Sequence, residues 1–296
     1  MKRDRSLALP AALAMLTSSG ALLRPAPAGA QLPFAPAASS GQTVSPAYEG
    51  WYRNPDGSFS LSFGYFNRNH EEVVRVPVGP DNRIELQDAS RTPIPGGVAP
   101  DQGQPTEFHP ERHWGVFTVR VPADFGDKRV VWTLRTRDKS WSIPGGLDLR
   151  WQIDALEGEA GSGNTPPVLR FEGGPTGQGP AGATLGSLDA RVGVPLELTV
   201  WATDDGRSSG GVSGPRRVES PVALAWFGHQ GPAPVRFSEQ EPEASQPEGK
   251  ATTTVTFDVP GDYLLRVRVN DASGVSSAGH AQCCWTNGFV KVRVTG

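Results

Sequence analysis

The sequence predicts an all-β chain built as two tandem antiparallel β-sandwiches. Three observations carry this prediction. Residues 252–271, Thr-Thr-Thr-Val-Thr-Phe-Asp-Val-Pro-Gly-Asp-Tyr-Leu-Leu-Arg-Val-Arg-Val-Asn-Asp, alternate apolar and polar side chains on both sides of a Pro260-Gly261 turn. A period of two puts each apolar set on one strand face, so the stretch reads as two strands joined at a tight corner. The same alternation recurs through most of the chain. Gly and Pro, 36 and 28 of the 296 residues, make up about 22%, which implies many turns and few helices but falls short of the roughly 25–30% that marks disorder.

Taken in order, residues 1–30 read as a targeting segment. Lys2, Arg3 and Arg5 form a basic start, an apolar run at 7–16 is too short to span a bilayer, and Ala28-Gly29-Ala30 is a small-x-small cleavage signal. No later stretch is long and apolar enough for a membrane helix, and no membrane span is expected. The protein is therefore expected to be periplasmic or secreted. Cleavage after Ala30 removes four basic residues and one acidic one, and moves the formal charge from −3 to −6. A mildly acidic chain with mixed charges has no electrostatic footprint for nucleic acid.

Residues 31–46 are rich in Pro, Ala and Ser and read as a flexible leader. A first domain is expected over 47–156. Asn54-Pro55-Asp56-Gly57 is a turn signal between strands at 51–53 and 58–67, in which Phe59, Leu61, Phe63 and Tyr65 share a face. Shorter strands are expected at 73–78 and 83–86, then a loop over 88–110. Strands follow at 114–121 with Phe117, Val119 and Val121 inward, and at 129–135 with Val130, Trp132 and Leu134 inward. Strands at 140–143 and 147–153 close the domain.

Residues 157–167, Glu-Gly-Glu-Ala-Gly-Ser-Gly-Asn-Thr-Pro-Pro, have linker composition. A second domain is expected over 168–296. Its strands lie at 168–171, 195–203 (Leu196, Leu198, Val200 and Ala202 on one face), 222–227, 234–237, the pair at 252–271, and 289–294. A Gly/Ser-rich loop fills 206–221. About seven strands in such a length is the size of an immunoglobulin-like sandwich.

Trp226-Phe227-Gly228, Pro260-Gly261-Asp262-Tyr263 and the closing strand and turn at 267–274 are similar to the corresponding motifs of polycystic-kidney-disease-type (PKD) immunoglobulin-like domains of bacterial exported proteins. Gly228-His229-Gln230 lacks the Asp usual in that family. Residues 50–57 and Gly103-Gln104-Pro105-Thr106 resemble uncharacterised bacterial secreted proteins, a likeness that implies no activity.

Few residues carry candidate chemistry. His70, His109 and His113, with Glu71 or Glu111, are a transition-metal set by donor type. His109 and His113 are separated by Pro-Glu-Arg in extended chain rather than set on one helical face, so solvated loop ends are the expected reading. Asn67 and Asn69 are binding candidates, more readily read as bonding loop backbone. Asp204, Asp205 and Asp271 follow strands whose ends can share a pole; their oxygens suit calcium, the one cofactor candidate, while ordinary turn chemistry explains them too. Trp201 alternates away from the Leu196 face and is a candidate for stacking on a sugar. Cys283 and Cys284, the only cysteines, read first as two separate thiols, second as a vicinal disulfide, and third as a metal site with His280. No strand-to-helix Gly-x-Ser-x-Gly elbow, P-loop or Gly-x-Gly-x-x-Gly fingerprint is expected; the first spacing does occur at Gly206-Arg207-Ser208-Ser209-Gly210, inside the Gly/Ser-rich loop. The reading is an exported, non-enzymatic recognition or spacer protein whose partner is envelope polysaccharide or another exported protein. The alternatives are a hydrolytic or metal-dependent enzyme at the polar strand ends, and a calcium-dependent structural module.

Overall fold

The computed structural model describes residues 38–156, 163–205, 222–271 and 284–296. Seventeen strands and one short 3-10 turn account for the regular structure of these residues. The first half holds β1 (Val44–Arg53), β2 (Phe59–Asn67), β3 (Val74–Arg75), β4 (Asn82–Gln87), β5 (Glu107–Phe108), β6 (Glu111–Val121), β7 (Arg129–Thr136) and β8 (Lys139–Gly145), followed by the 3-10 turn Leu149–Trp151. The second half holds β9 (Val168–Phe171), β10 (Thr176–Gln178), β11 (Ala183–Arg191), β12 (Leu196–Thr203), β13 (Val222–Gln230), β14 (Val235–Phe237), β15 (Lys250–Phe257), β16 (Gly261–Asp271) and β17 (Trp285–Thr295).

In the first half the sheets are β1-β2-β6 and β4-β7-β8, with β3-β5 a small pair beside them. Lettered by order, these are an A-B-E sheet facing a C-F-G sheet. In the second half β9-β12-β15-β14 is an A-B-E-D sheet, extended at its edge by β10, and it faces β13, β16 and β17 as C-F-G. This is the strand order of the immunoglobulin-like sandwich. The alternation explains why. Val130, Trp132 and Leu134 are all fully buried in one core, and Leu265, Val267, Val269 and Val290 in the other. The Tyr263 hydroxyl donates to the Val259 carbonyl at 2.8 Å, a tyrosine corner at the turn from β15 into β16. Trp226, on the C strand of the second sandwich, is buried in its core.

Several expectations are corrected. The leader does not run to 46: Val44, Ser45 and Pro46 pair with Asn67, Phe66 and Tyr65, and Val44 is fully buried. The loop expected over 88–110 contains β5, while β3 is only two residues long. Residues 147–153 are not a strand. The Asp148 side chain accepts from the Arg150 backbone N–H and starts the 3-10 turn, so Leu149 and Trp151 face outward. β10 and β11 lie where no strand was expected, and β11 pairs parallel with β17.

Candidate functional site

The polar groups best suited to chemistry gather where the two sandwiches meet. With Tyr263, Leu265 and Val267 turned into the second core, alternation turns Arg266 and Arg268 to the outer face of β16. The first sandwich covers that face. Arg266 is fully buried, its Nη1 donates to Asn287 Oδ1 at 3.2 Å, and its guanidinium sits 4.6 Å from the Phe227 ring centroid. Burial pushes the Arg266 side chain down to about 9, with the neighbouring Arg268 adding to the effect and Tyr65 opposing it. Asn287 Nδ2 donates both to the Gly115 carbonyl at 2.6 Å and to the Pro180 carbonyl at 2.7 Å. Gly115 has φ +46, and a Cβ there would overlap the Trp285 indole, so the site requires glycine.

Three histidines line the same junction. His109 and His113 flank Phe227, with ring centroids 5.1 and 5.4 Å from it. His109 Nε2 lies 3.4 Å from both the Gly228 carbonyl and Glu107 Oε1. His113 stacks on Tyr65, and its Nε2 lies 3.0 Å from the Pro110 carbonyl. His229 Nε2 lies 2.7 Å from the Gly103 carbonyl, and the Thr106 N–H donates to the His229 carbonyl at 2.8 Å. Burial, then the charge of Arg266, lowers His109 to about 4 and His113 well below its ordinary value. The same two causes lower His229 to about 3. All three rings are therefore neutral at pH 7. Glu107 is raised by burial, against the charge of Arg75. Arg75 Nη2 also crosses to the Gly231 carbonyl at 2.8 Å.

This arrangement brings His109 and His113 together, each with its Nε2 turned to a backbone carbonyl, while His113 Nδ1 is buried without a hydrogen-bond partner. His70 stays largely exposed beside Glu111, its Nδ1 3.8 Å from Glu111 Oε1. Among the described residues no three His, Cys, Asp or Glu side chains assemble in a way that could hold a metal ion. The set His70, His109 and His113 is thus not a formed metal centre, because two of its members are packed into the junction and the third faces water. Asn67 and Asn69, the binding candidates, are both buried. Asn67 donates to the Glu72 and Phe108 carbonyls at 2.8 and 2.9 Å, and Asn69 donates to the Gln42 carbonyl at 3.1 Å. Trp201 is half-buried. Its cross-strand neighbours Arg170 and Lys250 bring their cationic ends 4.0 and 5.7 Å from its ring, which covers the stacking face.

The carboxylates of the second sandwich are engaged locally. Asn164 Nδ2 donates to Asp271 Oδ2 at 2.6 Å, and the Thr165 hydroxyl donates to Asp205 Oδ2 at 3.0 Å. Asp204 follows β12 immediately. Cys284 is disulfide-bonded and no described cysteine is free, which corrects the reading of Cys283 and Cys284 as two separate thiols. Cys283 and His280 lie outside the described residues.

Sequence reasoning missed the junction itself: Glu107, Gly115, Phe227, His229, Arg266, Trp285 and Asn287. The available signal was a lack of charge at outward positions, as in Trp285-Thr286-Asn287-Gly288-Phe289, where every residue is buried. It also passed over Gly177-Gln178-Gly179-Pro180-Ala181-Gly182, which has the Gly-x-Gly-x-x-Gly spacing. The string joins β10 to β11 rather than a strand to a helix, so the phosphate-binding context is missing. Gly182, at φ +53, instead lets the chain pass the Asn287 backbone, where any Cβ would collide.

No known protein family matches the chain, and no curated protein matches it. Among solved structures it is similar to the D00-D0 domain of intimin, at 11% identity and a TM-score of 0.27, over 86% of this chain and all of that one (100%). Domains 4 and 5 of the S-layer protein SbsC give 11% and 0.25, over 79% and 90% of the two chains. Fibronectin(III)-like modules of Clostridium thermocellum CbhA give 12% and 0.22, over 86% and 94%. Likenesses this distant carry no functional argument, and the fold class rests on the strand order described above.

Proposed function

We propose that the chain is an exported, non-enzymatic recognition or spacer protein, in which two sandwiches form one rigid body that engages envelope polysaccharide or another exported protein. The observation supporting this reading is the use made of its reactive side chains. His113, His229, Glu107 and Arg266 are buried at the junction and His109 is half-buried there, and each is bonded or packed against the other sandwich. A buried polar network fixes geometry, which is what a spacer or a presenting scaffold needs. The similarity of the second half to PKD-type domains accords with such a role. The test is retention of the purified chain on isolated envelope polysaccharide and on exported-protein extracts, with product analysis of the polysaccharide. Retention without cleavage is expected; turnover that vanishes in His109→Gln overturns the reading.

A structural calcium site is the second reading, although Asp204, Asp205 and Asp271 do not by themselves assemble into a metal-holding group among the described residues. Asp205 and Asp271 both bond the same segment, Asn164–Thr165, and so approach one pole. Millimolar calcium is then expected to raise the melting temperature, and an unchanged value removes this reading.

A further inference from the structure

The first sandwich carries a groove that shares no lining residue with the junction. It encloses about 600 Å³ between Tyr48, residues 126–129 and 143–148, and Trp151. That volume lies in the range of about 300–1,000 Å³ typical of small-molecule sites.

One wall is an aromatic surface built with care for its position. Trp151 is 49% exposed, although so large an apolar ring is usually buried. The turn that holds it is fastened at several points. The Trp51 indole N–H donates to the Asp148 carbonyl at 2.8 Å, the Trp151 N–H donates to the same carbonyl at 2.9 Å, and the Ile153 N–H donates to the Trp51 carbonyl at 2.9 Å. The Tyr48 hydroxyl donates to the Gly146 carbonyl at 2.7 Å, and its ring backs the Trp151 indole at 5.7 Å. Gly50, at φ +130, leaves room for the Trp151 carbonyl, which a Cβ would strike. An exposed ring held this firmly has little conformational freedom left to lose when a ligand lies on it.

The rim supplies charge. Asp148 is committed to Arg150, whose Nε donates to Oδ1 at 3.0 Å. The other charged lining residues are Asp127, Lys128 and Arg129, so the lining carries two acids and two bases. A pyranose ring has an apolar C–H face edged by hydroxyls, so an indole flanked by polar groups matches both of its surfaces. With Asp148 held by Arg150, Lys128 and Arg129 are the cations left to meet a carboxylate, beside Asp127.

We propose that this groove binds a uronate-bearing segment of polysaccharide, with one sugar face on Trp151 and its carboxylate at Lys128 and Arg129. The proposal rests on the recognition reading above and names the class of polysaccharide. Isothermal titration of the mature chain with oligogalacturonate, with neutral cellohexaose as the comparison, tests it. Oligogalacturonate is expected to bind, more tightly than cellohexaose. Trp151→Ala is expected to lower its affinity about tenfold or more, as loss of a central aromatic contact does, and Arg129→Gln to lower it by a smaller factor. Circular dichroism and the melting temperature of both variants are expected to match the parent, since neither side chain is in the core. No heat with oligogalacturonate at millimolar concentration overturns the proposal, as does equal binding of cellohexaose or full affinity in Trp151→Ala. In any of these cases retention on envelope polysaccharide still stands or falls separately, so loss of the groove is distinguishable from loss of the recognition reading.

Discussion

Asn287 of the second sandwich donates its side-chain amide to the Gly115 carbonyl of the first at 2.6 Å, with both residues buried. The same side chain holds the Pro180 carbonyl and accepts from Arg266, so it ties three backbone or charged groups together at the junction. Asn287→Ala leaves the buried Pro180 carbonyl and part of a buried guanidinium unmatched, and leaves the Gly115 carbonyl only the longer bond from the Trp285 indole N–H at 3.4 Å. At about 1–3 kcal/mol per unsatisfied group, a total loss of about 3 kcal/mol or more is expected in urea unfolding. A loss under about 1 kcal/mol means that water enters the junction and replaces the amide.

Tyr263→Phe separates the two contributions of the tyrosine corner. The ring packs against Phe257 at 4.7 Å and stays; only the bond to Val259 is removed. Chemical denaturation is expected to show a loss of about 1 kcal/mol, the usual net value of one hydrogen bond. Tyr263→Ala empties the space as well and is expected to cost about 3–5 kcal/mol. Equal losses in the two variants contradict the assignment.

Acid is expected to destabilise the fold through the junction. His109 and His229 sit at about 4 and about 3 in the folded chain, below their ordinary 6.5, so below pH 6.5 the unfolded chain binds more protons. Stability rises with pH wherever the unfolded state holds more protons, and therefore falls as the pH drops from about 6.5 towards 4. Each histidine adds up to about 1.4 kcal/mol per pH unit. His113, also lowered, acts in the same direction. Glu107 is raised and acts oppositely: its contribution is lost as pH rises through its folded value. Stability measured between pH 7 and 4 is expected to fall, and His229→Gln is expected to reduce the slope. A slope unchanged in that variant contradicts the assignment.

Thiol titration of the denatured, unreduced chain is expected to give none, because Cys284 is disulfide-bonded. Prior reduction is expected to give two, the number of cysteines in the sequence. Two thiols without reduction contradict the bond.

Strands with one charged face and one buried face were legible in the sequence, because alternation alone specifies them. β7, β12, β15 and β16 fall within a few residues of their expected places. β11 was not legible: Ala183-Thr184-Leu185-Gly186-Ser187-Leu188 is only half-buried, and pairing with β17 rather than an apolar face makes it a strand. Leu149 and Trp151 misled in the opposite direction. Their apolar character suggested a strand, whereas the Asp148 cap turns them to solvent. The junction was hidden for a different reason. Arg266 occupies an outward position in an alternating strand, the pattern of a solvated residue, and only the docking of the first sandwich buries it. No period in the sequence encodes that docking.

The central claim is that the two sandwiches form one body through the buried junction, and differential scanning calorimetry of the purified chain tests it most directly. One transition is predicted, with calorimetric and van't Hoff enthalpies equal, and Asn287→Ala is predicted to move the whole transition down. Two separate transitions, with the upper one unmoved by Asn287→Ala, would contradict the claim.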